Sequence, residues 1–283
     1  MDMSHFLHLL EHAALDTLTA LPFLFLAYLL MEAAEHYQSA RMENAIRRIG
    51  KAGPLAGALL GCVPQCGFSA SASNLFAAGL ISRGTLLAVF LATSDEALPM
   101  LVGTSGGRSM ILPLVGAKVL IGVLAGFAAD LWMKKWGRPR ELYDLCEDCG
   151  CEEEGAGILK PALHHTLHIL LYIFLLNLIL GVAVHLMGEE LLSTILLKDS
   201  LLQPFVAALA GLIPNCAISV LLTQLYLAGS LSFGSLLAGL CSGAGLGLAV
   251  LFKMNRSRRE NLTITAALYL ISALCGLAVH LLF

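Results

Sequence analysis

The sequence predicts an all-α polytopic membrane protein made of two inverted-topology repeats, with broken or re-entrant helices at the midplane. Three observations carry that expectation: the density of apolar residues, a self-match at a constant offset of 150 residues, and opposite charge on the equivalent loops of the two halves. Of 283 residues, 58% are hydrophobic and 13% charged, far from the balance of a soluble domain. Apolar stretches of about 20 residues, enough to cross a ~30 Å hydrocarbon core, recur along the chain. The lipid bilayer is therefore the expected partner, and a homo-oligomer is admitted. The net charge of −3 points to no nucleic-acid partner, because the basic residues are sorted by loop.

The self-match centres on residues 61–98, where prolines, glycines, thiols, amides, hydroxyls and carboxylates gather in apolar surroundings. Pro64, Cys66, Ser69, Leu75, Ala78, Gly79, Ser82 and Gly84 meet Pro214, Cys216, Ser219, Leu225, Ala228, Gly229, Ser232 and Gly234 without a gap. Amides face amides, Gln65 against Asn215 and Asn74 against Gln224. Paired Pro-x-Cys and amide positions are a stronger repeat signal than matching leucines. Helix breakers and polar groups at membrane depth are tolerated where they line a protected cavity or a substrate path.

Taken in order, the first apolar helix is expected from about Leu15 to Tyr37. His5, His8, His12 and Asp16 share one face, read either as an interfacial first turn or as a metal-collecting stripe. The N-terminal stretch is expected not to be a secretory signal, since Asp2 and Glu11 stand where a basic leader belongs. Residues 38–51 form an amphipathic surface segment with Arg41, Arg47, Arg48 and Lys51. Pro54 to Val63 is about half a bilayer long, which sets Pro64 to Gly67 near mid-membrane. Gly84 to Gly103 is a helix interrupted around Ser94, Asp95, Glu96 and Pro99. Ile111 to Trp132 spans cleanly, with Lys118 inside it and Asp130 near its end. After the linker, His165-Thr-Leu matches Asp16-Thr-Leu at an offset of 149, and Leu262 to Leu282 matches Leu112 to Trp132. The domain reading is a first membrane repeat over 1–133, a Cys-rich acidic linker over 134–160 and a second membrane repeat over 161–283.

Charge gives the orientation. Residues 38–51 hold four Arg/Lys and their counterpart 188–201 only Lys198, whereas 102–110 holds only Arg108 and its counterpart holds Lys253, Arg256, Arg258 and Arg259. Basic short loops stay cytoplasmic, so equivalent loops fall on opposite sides and the repeat is inverted. The linker is then cytoplasmic in an inner membrane and both termini are extracytoplasmic.

Symmetry draws Cys66, Cys216, Ser69, Ser219, Gln65, Asn215, Asn74 and Gln224 toward one site. Thiolates suit soft ions, while amides, hydroxyls and freed carbonyls suit harder ones. Asp95 and Glu96 face Gly245 and Leu246 in the other half, so the site is asymmetric there. A buried carboxylate can ligand a cation or carry an exchanging proton; the bland alternative is a helix-capping loop. Asp16, His165 and Asp130 are coupling candidates, and Asp16, Lys118 and Asp130 are weaker candidates whose other role is structural pairing or interface anchoring. Cys241 and Cys275 read as small apolar fillers. In the linker, Cys146, Cys149 and Cys151 could make a trigonal thiolate site for a metalloid or most of a zinc site.

Several motifs together resemble the bacterial and archaeal ten-helix heavy-metal exporter family, whose members are labelled arsenic efflux proteins or manganese transporters. They are Asp16-Thr-Leu with Pro22-Phe-Leu-Phe-Leu and Tyr28-Leu-Leu-Met-Glu32, Val63-Pro-Gln-Cys-Gly-Phe-Ser69, Thr93-Ser-Asp-Glu-Ala97, the linker cysteines and Pro214-Asn-Cys216. The resemblance implies export of a metal or metalloid ion. The thiols argue for arsenite or a soft metal, and the carboxylates and amides for manganese or another divalent cation. The expected function is secondary transport without a required cofactor and without enzymatic activity. The chain carries no P-loop motif to act as its own ATPase. Two alternatives stand beside it: a membrane metal sensor acting through the linker, and an intramembrane thiol enzyme using Cys62 and Cys66.

Overall fold

The computed structural model describes residues 52–63, 66–93, 97–104, 107–136, 159–187 and 200–282, and most positions from 10 to 29. Among these residues every regular element is an α-helix. An apolar N-terminal helix, α1, is seen over Ala13–Leu26. It is followed by α2 (Gly53–Gly61), α3 (Cys66–Ala77), α4 (Arg83–Ala92), α5 (Ala97–Gly103), α6 (Arg108–Trp136) and α7 (Leu159–Met187). The remainder is α8 (Gln203–Gly211), α9 (Cys216–Leu227), α10 (Phe233–Ser242), α11 (Leu246–Met254) and α12 (Arg258–Leu282). The bounds of α2, α3 and α4 return 150 residues later as those of α8, α9 and α10.

Local chemistry explains why these bounds coincide. Pro54 and Pro204 stand in the first turns of α2 and α8, where a missing N–H is harmless. Gly79 and Gly229 stop α3 and α9 with φ of 80° and 72°. Around each, the two backbone bonds of a Schellman end recur: Gly79 N to Phe76 O with Leu80 N to Leu75 O, and Gly229 N to Tyr226 O with Ser230 N to Leu225 O. Ser82 and Ser232 then start α4 and α10 by accepting from Thr85 N and Ser235 N at 3.0 and 3.1 Å.

Two interrupted helices form the centre. The span Arg83–Gly103 breaks after Thr93, whose hydroxyl turns back to Val89 O at 2.7 Å. The span Phe233–Met254 breaks at Gly243 to Gly245, with Gly245 at φ 53°. α4 is capped at Thr93 and α5 begins at Ala97, and Ser94, Asp95 and Glu96 of the expected interruption lie outside the described residues; Pro99 is not part of it, since it sits in the first turn of α5, which accepts proline. The final helix starts at Arg258, four residues before the expected Leu262, and α6 runs on to Trp136. The first helix, expected from Leu15 to Tyr37, is described only as far as position 29, so its C-terminal end lies outside the described residues.

Among the described residues, four helical stretches are long and apolar enough to cross a membrane. The two interrupted ones are 73% and 89% buried, whereas Arg108–Trp132 and Arg258–Leu282 are 22% and 28% buried. The interrupted helices are therefore the core, and α6 and α12 flank it. Leu112, Leu120, Leu124 and Leu131 of α6 and Leu262, Leu270, Leu274 and Leu281 of α12 stand exposed. Such apolar faces are costly in water and are solvated by lipid tails. Packing crosses between the halves: α3 lies on α11, and α9 lies on α5.

Candidate functional site

The site is built where the short helices cross. α3 and α9 have 12 residues each, about 18 Å, too short to traverse a ~30 Å core. Each begins at a cysteine just after a proline. Cys66 opens α3, and Cys216, which is 9% exposed, opens α9. Cys216 belongs to one apolar cluster with Ala70 of α3, Leu246 of α11 and Tyr28 of the N-terminal helical region. The structure thus brings the start of the second break to the first half's short helix.

Behind the cysteine, α3 turns a polar face inward. Ser69, Ser71, Ser73 and Asn74 are all buried. Ser73 donates to its own helix at Ser69 O and, at 2.7 Å, to Gly247 O of α11. Gly247 permits that approach: a Cβ there would lie 2.7 Å from the Ser69 backbone carbon and 2.8 Å from its oxygen. In α9 the matching face carries Ser219 and Thr223, both buried, with Thr223 donating to Ser219 O at 2.7 Å.

The amides separate. Asn74 is fully buried; its Oδ1 accepts from the Tyr28 hydroxyl at 3.2 Å, and its Nδ2 has no hydrogen-bond partner among the described residues. The Ser71 hydroxyl is likewise buried without a partner. A buried donor left unmade costs about 1–3 kcal/mol, so these two groups stand out among the buried polar side chains of α3. Gln224, expected beside Asn74, is instead exposed on α9. Asn215 is half-buried and caps α9, its Oδ1 accepting from Ala217 N at 2.7 Å.

Of the coupling candidates, His165 is half-buried in α7 and stacks on Tyr28 with ring centroids 5.6 Å apart. Asp130 ties α6 to the start of α4: Oδ2 accepts from the Ser82 hydroxyl at 2.7 Å and Oδ1 from Gly84 N at 2.9 Å. At the equivalent place in α12, His280 Nδ1 meets the Ser232 hydroxyl at 2.7 Å. Asp130→Ala is expected to lower stability by about 1–3 kcal/mol, because it strands two N-terminal donors of a buried helix, and Asp130→Asn by less. Thermal melts of the purified variants check the order.

Gln65, Asp95, Glu96, Asp16 and the linker cysteines Cys146, Cys149 and Cys151 lie outside the described residues. Among the described residues no three His, Cys, Asp or Glu side chains converge as a metal cluster. Sequence reasoning missed Tyr28 as a member of the buried polar set and left Lys118, which is fully buried, as a minor candidate. A signal for Lys118 was present: it is the one charge between Ile111 and Ala129.

Among the described residues, an all-helical arrangement with exposed apolar flanks and a buried, interrupted core is that of a polytopic membrane protein. The chain belongs to the family described as "Putative, 10TM heavy-metal exporter", whose model matches residues 8–191. That match agrees with the resemblance carried by its motifs. Comparison with curated proteins and with solved structures finds no match.

Proposed function

We propose that the protein is a secondary transporter that exports a metal or metalloid ion through a site between the Pro64–Gly67 and Pro214–Ala217 breaks. The observation that carries this reading is the crossing of short helices. α3 and α9 share their bounds at a 150-residue offset, start at Pro-x-Cys, and each pack on the other half's half-helix. With opposite charge on equivalent loops, this supports two inverted-topology repeats, related by rocking of one half against the other. Cys66, Cys216, Ser69, Ser219 and Asn74 line the path, with Gln65, Asp95 and Glu96 beside the breaks. Asn215 shapes the second break as a cap, and Gln224 lies at its outer edge. Asp95 or Glu96 couples export to protons, with Asp16, His165 and Asp130 as further candidates. The linker cysteines form a separate cytoplasmic metal site, and the termini face outward.

The ion is arsenite or a divalent metal such as manganese. Purified protein in liposomes, offered manganese, zinc and arsenite with and without a pH gradient, tests the reading. Flux of at least one ion is the expected result; arsenite flux abolished in Cys66→Ser and Cys216→Ser makes the thiols its ligands. Manganese flux that survives both changes gives the carboxylates and amides that role. No flux of any ion rejects the proposal and favours a sensor working through residues 144–154.

A further inference from the structure

Lys118 lies midway along α6 with its side chain fully buried, and its Nζ donates to Thr93 O and, at 2.7 Å, to Leu240 O. Thr93 caps the C-terminus of α4, and Leu240 belongs to the last turn of α10. The final carbonyls of a helix have no partner within it and carry roughly half a negative charge. Here Ala244 N, which would have reached Leu240 O in a longer helix, bonds Ser242 O instead. One ammonium therefore neutralises the C-terminal ends of α4 and α10, the first segments of the two interrupted helices, one from each half of the chain. In transporters with broken helices, such ends and freed carbonyls are where a coupling cation sits.

We propose that Thr93 O and Leu240 O form a cation site which the chain fills with its own Lys118, so that alkali cations are neither bound there nor needed for transport. The last part rests on the transport reading; the cation site itself does not. The device is one-sided, because the residue 150 positions on is Leu268, buried and apolar. Lys118 is a positioning residue: it acts through the helix ends that it touches. It holds α4 and α10 in register across the seam between the halves.

The test uses purified wild type, Lys118→Ala and Lys118→Met, melted in methylammonium, sodium or choline chloride and assayed in liposomes with and without sodium. Lys118→Ala is expected to melt below wild type and to recover saturably with methylammonium, which restores an N–H donor, but not with choline, which has none. Lys118→Met, whose side chain fills the space without a charge, stays low in every salt. Wild type is indifferent to all three salts and transports without sodium. Methylammonium leaving a folded Lys118→Ala unchanged, wild-type melting and flux in Lys118→Met, or a sodium requirement in the wild type would each overturn the proposal. Should Lys118→Ala yield no folded protein, Lys118→Met and the sodium dependence of the wild type decide. A wild type that moves no ion, with methylammonium recovery intact, removes the transport reading and leaves the cation site standing.

Discussion

Gly84→Val is expected to abolish the folded protein, and Gly234→Val to do the same at the equivalent place. A Cβ on Gly84 would run into Gly126 O and the Asp130 carboxylate, with Asp130 Oδ1 at 2.5 Å. A Cβ on Gly234 would run into Gly276 O and lie 2.5 Å from His280 N. In both cases the nearest obstacle is a backbone atom of α6 or α12, which cannot turn aside as a side chain can. Each flanking helix would have to leave the interrupted helix it covers. Extra methylenes in a packed interior cost about 1–3 kcal/mol where neighbours can adjust, and more where they are backbone. On a stability of the order of 5–15 kcal/mol, a valine with the flanking helix displaced removes much of the total. Size-exclusion profiles of detergent extracts read the result, with Gly116→Val as control, since nothing lies within 4 Å of a Cβ there. A monodisperse Gly84→Val with wild-type melting would show that α6 is not seated as described.

Asn74→Leu is expected to act in the opposite way, sparing the fold and removing transport. The substitution deletes an unpartnered buried Nδ2 and so relieves a penalty of about 1–3 kcal/mol. It also strands the Tyr28 hydroxyl, which donates to Asn74 Oδ1, at a comparable cost. The two nearly cancel, and adding Tyr28→Phe removes the second, so the double variant should melt at or above wild type. Transport should fall at least about tenfold in both, equivalent to ~1.4 kcal/mol or more of lost interaction. Unchanged flux in Asn74→Leu would take Asn74 off the path. A stabilised but inactive double variant would show that the buried amide is kept for function at the expense of stability.

The residues that proved legible in the sequence are those whose roles are set by near neighbours. Ser82 and Ser232 are caps because each stands three residues before the N–H it accepts from, and Gly79 and Gly229 end helices because a left-handed residue closes them. In the sequence these residues stood out only as matches at the 150-residue offset; the structure adds their roles as caps and helix ends, and the bounds of the short helices repeat with them. The interruption near Thr93 was legible as well, and Pro99 was misplaced because a proline fits the first turn of a helix as well as a break.

The roles of the amides and buried charges were not legible, because they depend on which face of each helix turns inward and on partners far away in the chain. Asn74 and Gln224 occupy equivalent positions, yet the first is buried against Tyr28, 46 residues distant, and the second is exposed. Ser73 reaches Gly247 across 174 residues and Lys118 reaches Leu240 across 122. The sequence by itself determined an apolar helical protein of the heavy-metal exporter family, with its breaks at Pro-x-Cys, since hydropathy, caps and motifs are local properties. Only the tertiary structure decided that α3 crosses to α11, that Asn74 and not Gln224 is enclosed, and that Lys118 joins the ends of α4 and α10 at the two interruptions. Those outcomes come from packing one half against the other, where burial turns an ordinary lysine or amide into a costly group that must have a partner or a purpose.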